Sequence, residues 1–345
     1  MDLHADTPFR ETGAVPGVRH TLTLPDGGFA MLHHFAQFSA ATRLVATPPP
    51  LLVVHSINAT ASAYEMYPVV MRQSRQRAVV ALDLPGFGEA AKKDQAYSPQ
   101  QMQQAISAAA EWMQDNLGAG SIDVMALSLG CEFATEAVLK DPGMFRTLTL
   151  ISPTGIEGRR IGERYQGGMT REMSWMRRLL RNTRFGGWMY RMLTKPASIN
   201  WFLSRSWGTR DVDPRLLEHA LRCAAKPGAQ HAPLDFIAGA LFTKGVVERY
   251  RAVPVPIWVA HGTRGSFTDF GACPERSGSV AAGAMHAVER TAFDTGAMPH
   301  FETPDVFVAA YDKFLLGQRS RTATASRAAG RAMFNPLKTE LRHER

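Results

Sequence analysis

The sequence predicts an α/β protein: a doubly wound, mostly parallel sheet with an inserted helical region. Three observations predict it. Near-continuous apolar runs recur at Leu51–Val54, Ala78–Leu82, Ile122–Leu127, Thr147–Ile151 and Pro256–Ala260. Runs without polar alternation belong to parallel strands covered on both faces. Helical segments, including Pro99–Asn116 and Glu132–Lys140, lie between these runs, and alternating strand and helix is the pattern of a doubly wound sheet. Finally, the strand Ile122–Leu127 runs straight into Ser128 and then into a helical segment, with Ala126 before the serine and Gly130 after it.

Taken in order, each element has a local reason. The first core strand ends in a polar loop, His55-Ser56-Ile57-Asn58. His55 reads as a structural residue that holds this loop by a hydrogen bond, and Asn58 as a turn residue. The second strand ends in Asp83-Leu-Pro-Gly-Phe-Gly88, a tight turn that Asp83 stabilises. At Ser128 the strand-to-helix turn crowds the backbone, so small neighbours are needed; Ala126 and Gly130 supply them, and Cys131 fills the small position that follows. The turn lifts the hydroxyl out of the sheet and aims the next helix's N-terminus at it, where negative charge is favoured. A bare small-x-Ser-x-Gly match also describes a serine that ends a strand and caps a helix.

Composition bounds the rest. The chain's 345 residues, 45% apolar, suit one α/β domain with a smaller insertion. No apolar run has the length of a membrane span, and the N-terminus lacks a positive region followed by an apolar stretch; a cytoplasmic location is expected. Cys131, Cys223 and Cys273 are too widely spaced for a disulfide framework or a metal pattern. Residues 155–250 carry 17 Lys+Arg against 8 Asp+Glu, and they hold Trp175, Trp188, Trp201 and Trp207 with Met173, Met176, Met189 and Met192. Two readings stand side by side: Trp and Met packed inward with solvated arginines, or arginines that bind an anionic substrate or a membrane surface. Nothing resembles a nucleic-acid-binding module. Residues 317–345 carry 7 Lys+Arg against 2 Asp+Glu and read as a basic, disordered tail.

The loop His55-Ser56-Ile57, the turn Asp83–Gly88, the elbow at Ser128 and the stretch Pro299-His-Phe-Glu-Thr-Pro304 together resemble an α/β-hydrolase, over roughly residues 17–316. The resemblance implies a core in two parts, residues 17–154 and 246–316, with a helical cap at 155–245 placed over the nucleophile. It implies Ser128 as nucleophile and the backbone N–H groups of Leu129 and Ile57 as the oxyanion hole. Family members often read Gly-His-x-Pro-x-x-Glu-x-Pro before the last helix, with that histidine catalytic. This chain reads Gly296-Ala-Met-Pro-His300-Phe-Glu-Thr-Pro304, so Ala297 takes the catalytic position and His300 sits three residues later. If the loop has begun to coil, His300 shares a face with that position and serves as base. His261, at the end of a core strand, is the next candidate; His286 and His343 have no supporting context. The orienting acid normally follows Gly-x-x-Asp; here Gly265 or Ser266 stands at that place and Asp269 is the nearest acid, with Glu157 an alternative.

The expected activity is hydrolysis of an ester or related carbonyl compound, on a small substrate that is anionic or lipid-like, without metal or organic cofactor. Two other functions stay open: a non-catalytic binding or accessory protein with a degraded triad, and a cofactorless lyase or perhydrolase that uses the same site.

Overall fold

The apolar runs become strands of one sheet. The structure, a computed structural model, describes residues 15–36, 48–155, 172–182, 184–243, 245–264 and 288–333. Its strands are β1 (Val18–Thr23), β2 (Phe29–Phe35), β3 (Leu51–Val54), β4 (Val79–Asp83), β5 (Ile122–Leu127), β6 (Phe145–Ile151), β7 (Ile257–Gly262) and β8 (Val288–Phe293). They form an 8-stranded sheet in the order β1-β2-β4-β3-β5-β6-β7-β8. β1 and β2 pair antiparallel, as do β2 and β4, and every later pairing is parallel. β3, β4 and β5 are buried at every position, which explains why those runs show no alternation.

Helices α1 (Tyr67–Gln73), α2 (Pro99–Leu117) and α3 (Gly130–Lys140) connect the central strands. α2 starts where its sequence says it should. The Ser98 side chain accepts from the Gln101 N–H, the Gln101 side chain accepts from the Ser98 N–H, and Pro99 occupies the first helical position. Between β6 and β7 come α4 (Ser174–Asn182), α5 (Arg184–Leu193), α6 (Pro196–Trp207), α7 (Pro214–Ala224), α8 (His231–Ile237) and α9 (Val246–Ala252); after β8 come α10 (Pro299–Glu302) and α11 (Pro304–Met333). The chain divides into two compact units, residues 1–308 and 309–345. α11 continues through residues 317–333, for which the composition predicts disorder. That stretch contains no proline, and its alanines and arginines are good helix formers. No helix among the described residues is long and apolar enough to cross a membrane.

One buried carboxylate organises the sheet's carboxyl edge. Asp83, at the end of β4, accepts from the Ala63 N–H at 2.7 Å, from the Glu89 N–H at 2.9 Å and from His33 Nε2 on β2 at 2.8 Å. Burial alone would raise its pKa, but the hydrogen bond and charge of His33, the nearby His55 and the Ala63 N–H hold it far below the usual carboxylate range. An ionised carboxylate only accepts, so the His33 hydrogen lies on Nε2. The contact also dictates Gly88: at φ 49° a Cβ there would lie 1.8 Å from Asp83 Oδ1. An Asn at position 83 turns one acceptor into a donor and leaves a buried N–H unpaired, a loss of about 2–3 kcal/mol. Asp83→Asn should therefore lower the thermal midpoint by about 5 °C or more, whereas Asp211→Asn, at an exposed position, should leave it unchanged. Equal midpoints for Asp83→Asn and the parent would remove Asp83 from this role.

Candidate active site

The elbow is strained at its serine. Ser128 has φ 53°, a left-handed conformation that costs a non-glycine residue about 1–3 kcal/mol. Two hydrogen bonds over-determine it: the Ser128 N–H donates to the Ile151 carbonyl at 2.8 Å and the Cys131 N–H to the Ser128 carbonyl at 3.0 Å. α3 then begins at Gly130, where a Cβ would lie 2.3 Å from the His55 carbonyl oxygen. Glycine there lets the start of α3 press directly against the loop after β3.

That loop is braced from several sides. The Leu84 N–H donates to His55 Nε2 at 3.0 Å, so the imidazole hydrogen is on Nδ1, which donates to the Ser56 carbonyl. His55 therefore ties β3 to the turn after β4, as expected of a structural histidine. The Ser56 N–H donates to Glu65 Oε2 at 2.8 Å, and Asn58 Nδ2 donates to Glu65 Oε1 at 2.7 Å. Asn58 Oδ1 accepts from the Thr60 N–H at 2.8 Å, the bond of a turn residue. Among the described residues, neither the Ile57 N–H nor the Leu129 N–H donates to a protein acceptor. The two expected oxyanion donors thus lie on the two segments that meet at Gly130 and His55.

Among the described residues, no hydrogen bond joins His300 to Ser128. His300 is fully buried on α10, with Nε2 2.9 Å from the Glu65 carbonyl oxygen and no hydrogen-bond partner for Nδ1. Its ring packs edge-on to Phe307, 5.6 Å between centroids. Pro299 starts a helical turn here, and within that turn the imidazole meets the Glu65 carbonyl. His300 therefore braces the segment that carries Glu65. Asp269, the expected acid, and Glu157, its alternative, lie outside the described residues. His261 ends β7 half-buried, with Nδ1 3.0 Å from the Gly262 carbonyl oxygen.

The loop that carries Ala297 is fixed as well. Ser152, at φ 44° after β6, donates from Oγ to the Ala297 carbonyl at 2.8 Å. The Ala297 N–H donates to the Ser206 carbonyl at 2.7 Å, and the Gly296 N–H to Glu302 Oε1 at 2.7 Å. A Cβ on Gly296 would lie 2.1 Å from the Ser206 carbonyl oxygen, so the end of α6 sits directly on this loop. The other inserted helices reach the same edge. The Tyr190 hydroxyl donates to the Ala59 carbonyl at 3.1 Å, and His219 stacks on Tyr64 at 4.6 Å.

Sequence reasoning missed Glu65, Ser152 and Ser206. Glu65 left a trace: it is the one charged residue in the stretch Ala61–Met66, the kind of residue that is buried only when its oxygens are satisfied. Ser152 and Ser206 carry no such signal.

Residues 51–310 match the Alpha/beta hydrolase family. No curated protein matches this sequence. A serine hydrolase involved in carbazole degradation, the CarC enzyme, superposes with a TM-score of 0.63 at 15% identity, covering 86% of this chain and 98% of that one. The epoxide hydrolase CorEH gives 0.61 at 16%, covering 87% and 99%. The carboxylesterase CesB from Bacillus subtilis gives 0.57 at 14%, covering 88% and 93%. At these identities the likeness establishes the fold, and activity has to be argued from the site.

The His300 environment has a pH consequence. Burial, opposed in part by the bond to Glu65, pulls its pKa down to about 4, whereas a histidine in the unfolded chain titrates near 6.5. Between those values the unfolded chain binds the extra proton, so stability is full above about pH 6.5 and falls on acidification towards pH 4, by on the order of 3 kcal/mol in all. His300→Gln keeps an N–H for the Glu65 carbonyl and removes the titration. Its thermal midpoint should fall several degrees less than that of the parent over this window; parallel curves would show that His300 is not held neutral.

Proposed function

Because the chain belongs to the alpha/beta hydrolase family, we propose that it hydrolyses an ester or a related carbonyl compound with Ser128 as nucleophile. One observation carries the reading: Ser128 stands at φ 53° beside two segments whose Leu129 and Ile57 N–H groups have no acceptor among the described residues. Oγ attacks the carbonyl carbon, and the two N–H groups receive the negative oxygen. The bond to the leaving group then breaks, giving acyl-Ser128 and the released alcohol. Water attacks the acyl-enzyme and frees the acid. The Oγ proton needs a base other than His300, and His261, on the same carboxyl edge, is the base we assign. The helices α4–α8 form a cap over the edge, and their arginines suit a substrate that is anionic or lipid-like.

A second reading has a specific observation in its favour. Ala297 stands where the family pattern places the catalytic histidine, and His300 is occupied by Glu65. A serine with no base beside it is a weak nucleophile. Such a chain would bind a ligand under the cap without turning it over.

A fluorophosphonate probe separates the two. It should label Ser128, and Ser128→Ala should abolish labelling. His300→Gln should label at a rate within about threefold of the parent, while His261→Ala should slow labelling by about a hundredfold, as loss of a general base does. If the folded chain stays unlabelled where a control hydrolase reacts, the binding reading takes its place.

A further inference from the structure

The inserted helices turn their tryptophans outward. Trp175 on α4, Trp188 on α5 and Trp201 on α6 are 67%, 50% and 57% exposed, whereas Trp207 is buried. Inward packing, one of the two sequence readings, holds for Trp207 and for Met176 and Met189, which pack against the inner cluster, but not for these three tryptophans. These helices do not lack a core: Leu180 and Tyr190 are buried with Ala229, Leu234 and Ala238, and α5 lies so close to α4 that a Cβ on Gly186 would meet the Leu180 carbonyl at 1.7 Å. The exposed aromatics are therefore the outer faces of helices already packed on their inner faces.

Charge accompanies them. Residues 174–207 hold 7 Lys+Arg and no Asp or Glu. Arg184 and Arg191 flank Trp188 on α5 and line a cleft of about 330 Å³ together with Arg181, Gln230 and His231. Asp235 and Asp94 balance Arg181, and Asp94 also faces His231 at 3.3 Å. No carboxylate among the described residues pairs with Arg184 or Arg191, so the mouth of the cleft is cationic. Arg205 lies over the Trp201 ring, 5.3 Å from its centroid.

We propose that the outer face of α4–α6 is a docking surface for an anionic phospholipid bilayer, with Trp175, Trp188 and Trp201 seated at the headgroup level. Indole is suited to that depth, because its ring is apolar and its N–H is satisfied by water or headgroups. Helices that lie in a membrane interface combine this aromatic face with Lys and Arg. An acidic protein partner would match the charge. It would not explain single tryptophans spread over three helices among the arginines, which is the pattern of insertion into a fluid layer and not of one apolar anchor in one pocket. The arginine-lined cleft is placed to take a headgroup phosphate. Docking would set the cap, and any route beneath it, against lipid; the inference stands independently of whether Ser128 is reactive.

The test uses the purified full chain and two kinds of vesicle, pure phosphatidylcholine and phosphatidylcholine with about 30% phosphatidylglycerol. The chain should sediment with the anionic vesicles, with a blue shift of tryptophan emission, and remain in solution with the neutral ones. Raising the salt from about 0.1 M to 0.5 M should weaken binding severalfold. The triple variant Trp175→Ala, Trp188→Ala, Trp201→Ala should bind at least about tenfold less, and Arg184→Ala with Arg191→Ala about tenfold less. All variants should keep the parent's circular dichroism spectrum. No binding to anionic vesicles would overturn the proposal, as would equal binding to neutral ones or undiminished binding by the triple variant. A shift caused by inorganic phosphate without vesicle binding would replace the docking surface with a soluble-anion site.

Discussion

The working edge of this protein is organised by a charge held out of water. Asp83 is ionised, fully buried and surrounded by donors from three separate segments: β2 through His33, the turn at Ala63 and the turn at Glu89. A buried carboxylate is tolerated only when its oxygens are satisfied. Two of the donors, the Ala63 and Glu89 N–H groups, are points on turns, and the third is a strand residue of β2. The turn containing Ala63 also contains Glu65, and Glu65 holds the Ser56 N–H and Asn58. The position of Ile57 is thus set, two steps removed, by the carboxylate at the end of β4.

The strained serines are the second constraint. Ser128 and Ser152 end neighbouring strands, and both have positive φ. Such strain persists only where the surroundings leave no alternative. The Ser152 N–H donates to the Ala260 carbonyl, as the Ser128 N–H does to that of Ile151, so each strand end is pinned by the next strand. The loop that would carry the family's catalytic histidine is fixed just as firmly, by Ser152, Ser206 and Glu302. A residue held that rigidly is suited to catalysis, yet the residue at that point is Ala297. A histidine stands three residues further on, where its Nε2 bonds to the Glu65 carbonyl.

The insertion shows the same division between inner and outer faces. On the inner face, Tyr190, His219 and Ser206 reach the loops of the sheet. On the outer face stand tryptophans, with Arg184 and Arg191, which pair with no carboxylate among the described residues. One set of helices therefore links the loops at the sheet's edge with what meets the surroundings.

The fold was legible in the sequence. A strand buried on both faces must be apolar throughout, so β3 to β7 announce themselves as runs, and a sharp strand-to-helix turn must have small residues about Ser128. Ser98, Pro99 and Gln101 mark the start of α2 by their hydrogen-bonding chemistry alone. These are local requirements, and local requirements are written in adjacent residues. The facing of side chains was decided elsewhere. His300 follows Gly296-Ala-Met-Pro closely enough to suggest a displaced base, but its direction depends on the turn that Pro299 begins and on Glu65, 235 residues away in sequence. Likewise, the composition of 155–250 fits tryptophans on either face, and only the packing of Leu180 and Tyr190 determines which side is inner. Partners so distant along the chain leave no mark on the spacing of either residue, so tertiary structure alone chose between them.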